Sequence, residues 1–261
     1  MKRYLRLYRE IIIFCLKREI EFRLNFLLNV FAFSLWTISG YVVTLVAYGY
    51  SGSFAGWDEK QMLLFITIFN LANSLLKFSL YNNLTHFSEK MRSGDFDAIL
   101  LKPVSARFTI SASRVRFEQI PRTIVFVVLI IVFGLQANPH MNFFNIFFGF
   151  LTIIIGIFAM YNFLFIIACY ALWKPRVWNT FSIIESVEEL SDKPRNMYKG
   201  IMFYIVTILP LAAFSTIPAK FFLGEGSVPL FIESLGLMLV FFYLSNIVWK
   251  AGLKHYESAS S

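Results

Sequence analysis

Charge is what this chain has least of. Only 15% of its 261 residues are Asp, Glu, Lys or Arg, against about a quarter in soluble domains. Hydrophobic residues make up 57% and aromatics 18%, including 31 Phe. Mean hydropathy is +0.64. A soluble fold of this length cannot hide so much apolar surface, and the same composition excludes disorder. Cysteine is scarce too. Cys15 and Cys169 both lie in apolar stretches, which argues against a disulfide framework or a cysteine metal site. There is no G-x-x-x-x-G-K-[ST] loop, so ATP is not held in that way, and neither H-E-x-x-H nor G-x-S-x-G occurs. His86, His140 and His255 fall at span ends or in loops, too scattered to share a metal. No set of Ser, His, Asp or Glu at membrane depth marks an intramembrane enzyme.

What is present is a series of long apolar runs. They predict an all-α integral membrane protein with about six membrane-embedded segments; a membrane β-barrel would alternate instead. No room remains for a soluble domain of ordinary size, so residues 1–261 read as one transmembrane domain. Spans fit at about residues 26–48, 61–84 and 229–249. Residues 123–173 carry no formal charge and are too long for one helix. Asn138-Pro139-His140-Met141-Asn142 divides them into spans at about 123–137 and 143–173. Net charge is +8, with 24 Lys and Arg against 16 Asp and Glu. In this class the excess sets orientation and implies no nucleic acid.

Residues 2–23 place Tyr4, Tyr8, Ile11, Ile12 and Cys15 on one helical face, with Arg6, Arg9, Glu10 and Lys17 largely opposite. This predicts an amphipathic helix lying in the inner membrane surface; a solvated basic arm is the alternative. The apolar stretch 11–16 is too short for a cleaved leader. The basic terminus, the basic loop 87–119 and Lys250 with Lys254 share one side if the spans alternate. Both termini are therefore expected in the cytoplasm, with the chain passing repeatedly through the cell membrane. Residues 258–261 read as a frayed tail.

The most informative stretch is EKMRSGDFDAILLKPVS, from Glu89. Gly94 permits a turn, Asp95 can cap a helix start, and Asp97 suits its positive end. Phe96 to Leu101 then forms about two turns, and Pro103 ends them at Lys102. The result is a short helix with Phe96, Ile99 and Leu100 as apolar knobs, which ask for a partner surface; packing on the lipid interface is the alternative. In the second span Asn70, Asn73, Ser74, Lys77 and Tyr81 share one face. Such groups face protein or a water-filled path, or in the case of Lys77 snorkel to the interface. Trp173 and Trp178 flank Lys174-Pro175-Arg176 as an interfacial turn. Beyond it lie Glu185, Glu188 and Glu189, on an amphipathic surface helix by hydropathy alone.

The order of these features resembles the permease subunit of ABC type-2 exporters, in the branch whose ATPase is a separate polypeptide. Glu89, Gly94, Leu100, Leu101, Pro103 and Ser105 stand where that family's loop motif has them. The stretch ILPLAAFSTIPAKFFLG, with Pro210, Pro218 and Gly224, resembles its extracellular segment before the last span. The resemblance implies two permeases, copies or paralogues, over two ATP-binding subunits. ATP and Mg would sit on the partner, and this chain would bind no cofactor and hydrolyse nothing itself. It also implies that Asp95 to Lys102 form the coupling helix docking on the ATPase. Lys90, Arg92, Lys102 and Arg107 would face that partner or anionic lipid. Asn70, Asn73, Ser74, Lys77, Glu185, Glu188 and Glu189 would lie at a pathway or a helix interface; acidic groups on the pathway would attract cationic substrates.

Two arguments place the fifth segment differently. Charge bias prefers residues 200–223 as an ordinary span with Lys193, Arg195 and Lys199 inside. The resemblance prefers a short span at 177–190, with 196–226 an extracellular re-entrant gate. Pro210 and Pro218 act directly on the backbone and weigh toward broken helices. Two other functional classes fit the composition: a secondary transporter or channel subunit needing no ATPase, and an intramembrane lipid-modifying enzyme.

Overall fold

The computed structural model describes residues 2–173 and 180–256. The proposed turn at Lys174-Pro175-Arg176 with Trp178, the start of the 177–190 segment and the tail 258–261 lie outside the described residues. Helix α1 (Lys2–Glu21) breaks at Phe22 and gives way to α2 (Arg23–Ser51). A two-residue hairpin, β1 (Ser53–Phe54) with β2 (Trp57–Asp58), turns through Ala55 and Gly56, both at positive φ, as a tight turn of this hand requires. Asp58 then caps α3 (Glu59–Ser79): its carboxylate accepts from the Gln61 amide, and the Gln61 side chain reaches back to the Asp58 N–H. This reciprocal arrangement satisfies two amide donors at the helix start. The second span therefore stops at Ser79, earlier than the apolar run suggests.

Four short helices follow on the basic loop: α4 (Tyr81–Thr85), α5 (Phe87–Arg92), α6 (Asp95–Leu100) and α7 (Ala106–Ala112). Then come α8 (Gln119–Ala137), α9 (Phe143–Cys169) and α10 (Thr180–Glu189). Broken pieces α11 (Ile201–Ile208), α12 (Leu211–Phe214) and α13 (Thr216–Phe222) precede the long α14 (Val228–His255). Among the described residues, five helices are long and apolar enough to cross a bilayer: α2, α3, α8, α9 and α14. The pair α11 with α12–α13 qualifies as a sixth only if taken together, and it bends by 60°. The chain is thus an all-α membrane protein with five or six embedded segments.

Helix α9 is the hub. It packs along α14, α3, α12 and α13, and its sequence shows how. Gly149 and Gly156 lie two turns apart on one face. A Cβ on Gly149 would sit 2.5 Å from the Phe222 ring, and one on Gly156 would sit 2.2 Å from the carbonyl oxygen of Ala213. The missing side chain at Gly156 lets the broken backbone at Ala213 rest directly on α9, and that at Gly149 makes room for the Phe222 ring, as small residues do at membrane helix contacts. Residues 211–217 are fully or almost fully buried there. Non-helical backbone at membrane depth needs such cover. Leu209 is extended ahead of Pro210, and Pro218 sits in the first turn of α13, where a missing N–H leaves no carbonyl without a partner.

The path of the chain is legible along α14. Leu172 lies against Gly252 near the C-terminal end of that helix. Arg195 pairs with Glu233 at 2.6 Å, nineteen residues earlier (252 − 233). At the helical rise, that is about 28 Å. The backbone N–H of Arg195 donates to Thr216 Oγ1 at 3.1 Å, and Ser215 Oγ donates to the Ser191 carbonyl at 2.8 Å. Past α13, Asn138 Nδ2 donates to the Phe222 carbonyl and Gly224 leads back into α14.

Replacing Gly156 by Val forces a side chain into the Ala213 backbone, which cannot swing aside. The purified variant should melt several degrees lower in detergent, for a cost of at least about 1–3 kcal/mol. Gly40→Val on α2, where nothing lies within 4 Å of the added carbon, should change the melting point by far less.

Candidate functional site

Gly94 enters α6 in the left-handed conformation, at φ 78°, and occupies the cap position itself with no side-chain cap bond. This corrects the expectation that Asp95 caps: Asp95 is the first helical residue and accepts instead from Ser93 Oγ at 2.7 Å. Phe96 is also placed differently from the sequence reading. It is 0% exposed and meets Phe87, Trp249 and Tyr256 edge-on at 5.0–6.3 Å between ring centres. Such edge-on pairs add to simple burial. Asp97 Oδ1 accepts from the Tyr256 hydroxyl at 3.0 Å. Ile99 is buried as well. The inward face of α6 is therefore an anchor, and the outward apolar groups are Leu100, 41% exposed, and Leu101, 86% exposed. Lys102 and Pro103 are exposed beside them.

Two basic residues expected to face a partner turn inward. The Arg107 guanidinium donates to Asn162, Ser245 and Asn246 and lies 4.4 Å over the Phe165 ring. It joins α7 to α9 and α14 through neutral acceptors. Lys90 Nζ donates to Ser113 at 3.1 Å, and burial together with the positive Arg114 pushes its pKa down. Asn83, nearly fully buried, donates to the carbonyls of Ser79, Ser111 and Arg114 and accepts from Ser113. Glu89 remains outside and binds His86 at 2.7 Å, which holds its carboxyl below the usual range.

Within the bundle the polar face of α3 meets α10 and α8. Lys77 Nζ lies 2.6 Å from Glu188 Oε1, with the two side chains 25% and 18% exposed. Asn73 Nδ2 donates to the same oxygen, and the Lys77 ammonium stands 5.0 Å over the Tyr81 ring. Ser74 is within 3.0 Å of Thr123 Oγ1 on α8, whereas Asn70 bonds its own helix at Ile66. Of the acidic trio only Glu188 is drawn into the bundle; Glu185 and Glu189 are exposed. Among the described residues, no group of three or more His, Cys, Asp or Glu could hold a metal.

The loop helix is thus held by one face against α14, at one end of a bundle whose hub helix α9 carries broken backbone. Residues 34–260 match the family described as ABC-2 family transporter protein. The chain belongs to this ABC-2 transporter family. No curated protein and no solved structure matches it. Membership makes the chain a transmembrane transport component, a permease of the ABC type, and places it in a membrane through several passes.

Sequence reading of this ABC-2 chain missed the Arg107 junction. The signal was present: Asn162, Ser245 and Asn246 are polar groups inside otherwise apolar spans, and such groups ask for a partner. Lys77 and Glu188 give a test of the bundle. Each should destabilise the protein when changed alone to Ala. The double variant should lose less than the sum, with a coupling of about 1 kcal/mol or more, read as melting in detergent. Strictly additive losses would separate the pair.

Proposed function

We propose that this chain is the membrane-spanning permease of an ATP-driven exporter, working with a second permease and a separate ATP-binding subunit that carries ATP and Mg. One observation supports this most directly. Leu101 stands almost wholly exposed at the end of a helix whose other face is fixed by the buried Phe96. An exposed leucine on a rigid mount suits a pocket on a partner. Asp95, Leu100, Lys102 and Pro103 frame it, while Glu89, Gly94, Asp97 and Ile99 set its position.

Movement at α6 reaches α14 through Phe96 and Trp249, and α9 through Arg107 and Asn162. Closure of the ATPase pair then shifts the helices that carry the broken segment, and the pathway between two permeases opens outward. Tyr4 OH accepts from the Ser105 amide at 3.3 Å, and Tyr256 meets Asp97. Both described ends of the chain lie beside the loop, which supports a cytoplasmic side for both. The climb of about 28 Å between Leu172 and Arg195 supports a crossing there, with 196–226 returning on the outer side as a gate at Pro210 and Pro218. The exposed Glu185 and Glu189 are proposed to face the pathway, while Glu188 is engaged by Lys77.

The test is recovery of the tagged chain from its native membrane and identification of what accompanies it. An ATP-binding subunit should copurify. Leu101→Asp should weaken that association by about 2 kcal/mol, roughly thirtyfold, without lowering the melting point of the chain. Phe96→Ala should instead lower the melting point, at a cost of about 3 kcal/mol or more. Transport of solute by the chain alone in liposomes would contradict the proposal.

A further inference from the structure

A polar cavity of about 300 Å³ lies where α1 turns into α2. It is lined by Arg18, Glu19, Phe22, Asn25 and Asn29 from that elbow, by Asn82 and His86 around α4, and by Arg114, Arg116 and Glu118 from the link between α7 and α8. In a chain so poor in charge, five charged groups around one cavity are an outlier.

Their partners differ. Arg116 is committed, to Glu118 and to Asn82. His86 is committed to Glu89. The guanidinium groups of Arg18 and Arg114 have no ion pair or hydrogen bond among the described residues, and neither do the amides of Asn25 and Asn29. The remaining acid, Glu19, has its carboxyl pushed up by burial and by the nearby Glu118, against the lowering pull of Arg18 and Arg116, and makes no ion pair or hydrogen bond with Arg18 among the described residues. Two uncommitted guanidiniums and two uncommitted amides make a donor set for a tetrahedral anion, since guanidinium offers paired N–H groups to phosphate oxygens.

The rim decides between a soluble anion and a tethered one. Phe22, Leu24, Leu27 and Leu28 are exposed along the same elbow, where α2 begins its uncharged run. The cavity is at the end of α3 that carries the loop helices, so it falls at headgroup depth, with the exposed Phe22 ring in its lining and Leu24 and Leu28 on the flanks of the same elbow.

We propose that this cavity binds the phosphate of an anionic membrane lipid, which thereby fastens α1 to the link between α7 and α8. The lipid's phosphate bridges Arg18 and Arg114, and its acyl chains leave past Phe22 and Leu28. The interfacial helix is then held to the loop by lipid as well as by Tyr4. This site stands whether or not an ATPase binds α6.

The purified chain in phosphatidylcholine nanodiscs, with phosphatidylglycerol added in steps, provides the test. Retained phosphatidylglycerol is counted by native mass spectrometry. Arg18→Gln with Arg114→Gln should lower its affinity roughly thirtyfold, at about fivefold for each interfacial cation removed. Arg6→Gln with Arg9→Gln removes the same charge from exposed positions of α1 and should leave tight retention in place. Equal losses in both double variants would mean diffuse attraction and overturn the site. So would displacement of the lipid by millimolar inorganic phosphate, or no tight retention by the unaltered chain. If the cavity double variant melts lower in pure phosphatidylcholine, the single Arg114→Gln, at an exposed side chain, carries the same comparison with an expected fivefold loss.

Discussion

Inside a bilayer, backbone that leaves helical geometry has no water to turn to, so it must be covered by protein. The rest of this structure is arranged around that requirement. Between Leu209 and Thr216 the chain breaks twice, and α9 supplies the cover through the two positions where it has no side chain. Gly156 admits the Ala213 carbonyl and Gly149 admits the Phe222 ring. Ser215 and Thr216 then use their hydroxyls to hold Ser191 and Arg195. One apolar helix thereby fixes α12, α13, the loop after α10 and, through α14, the far end of the molecule.

The same two helices carry the opposite end. Trp249 on α14 and Phe165 on α9 meet at 5.5 Å. Phe96 and Arg107 insert beside them from the basic loop. A half-buried cation without a carboxylate is costly unless its donors are satisfied. Arg107 meets this with three neutral acceptors and an aromatic face. Apolar contact and hydrogen bonds thus join the loop to the helices that hold the broken segment.

Much of this is legible in the sequence. The apolar runs located α2, α3, α8, α9 and α14, since a span is a matter of length and charge. Pro210 announced a break because its ring cannot continue a helix. The loop helix was legible from Gly94 and Pro103. What its faces touch was not, because an aromatic in a short amphipathic helix reads alike whether it points to a partner or to its own bundle. The pattern points Phe96 outward for that reason, while the packing of Phe87, Trp249 and Tyr256 turns it inward. Glu188 could not be matched to Lys77 across 111 residues, as each charge has several candidate partners.

We propose that the chain crosses between Leu172 and Arg195, with residues 196–226 returning on the outer side. A single cysteine at Asn196 tests it most directly, in a chain whose buried Cys15 and Cys169 are replaced by Ser. The account predicts labelling of intact cells by an impermeant thiol reagent. Labelling only after the inner face is exposed would contradict it and make residues 200–223 a plain crossing.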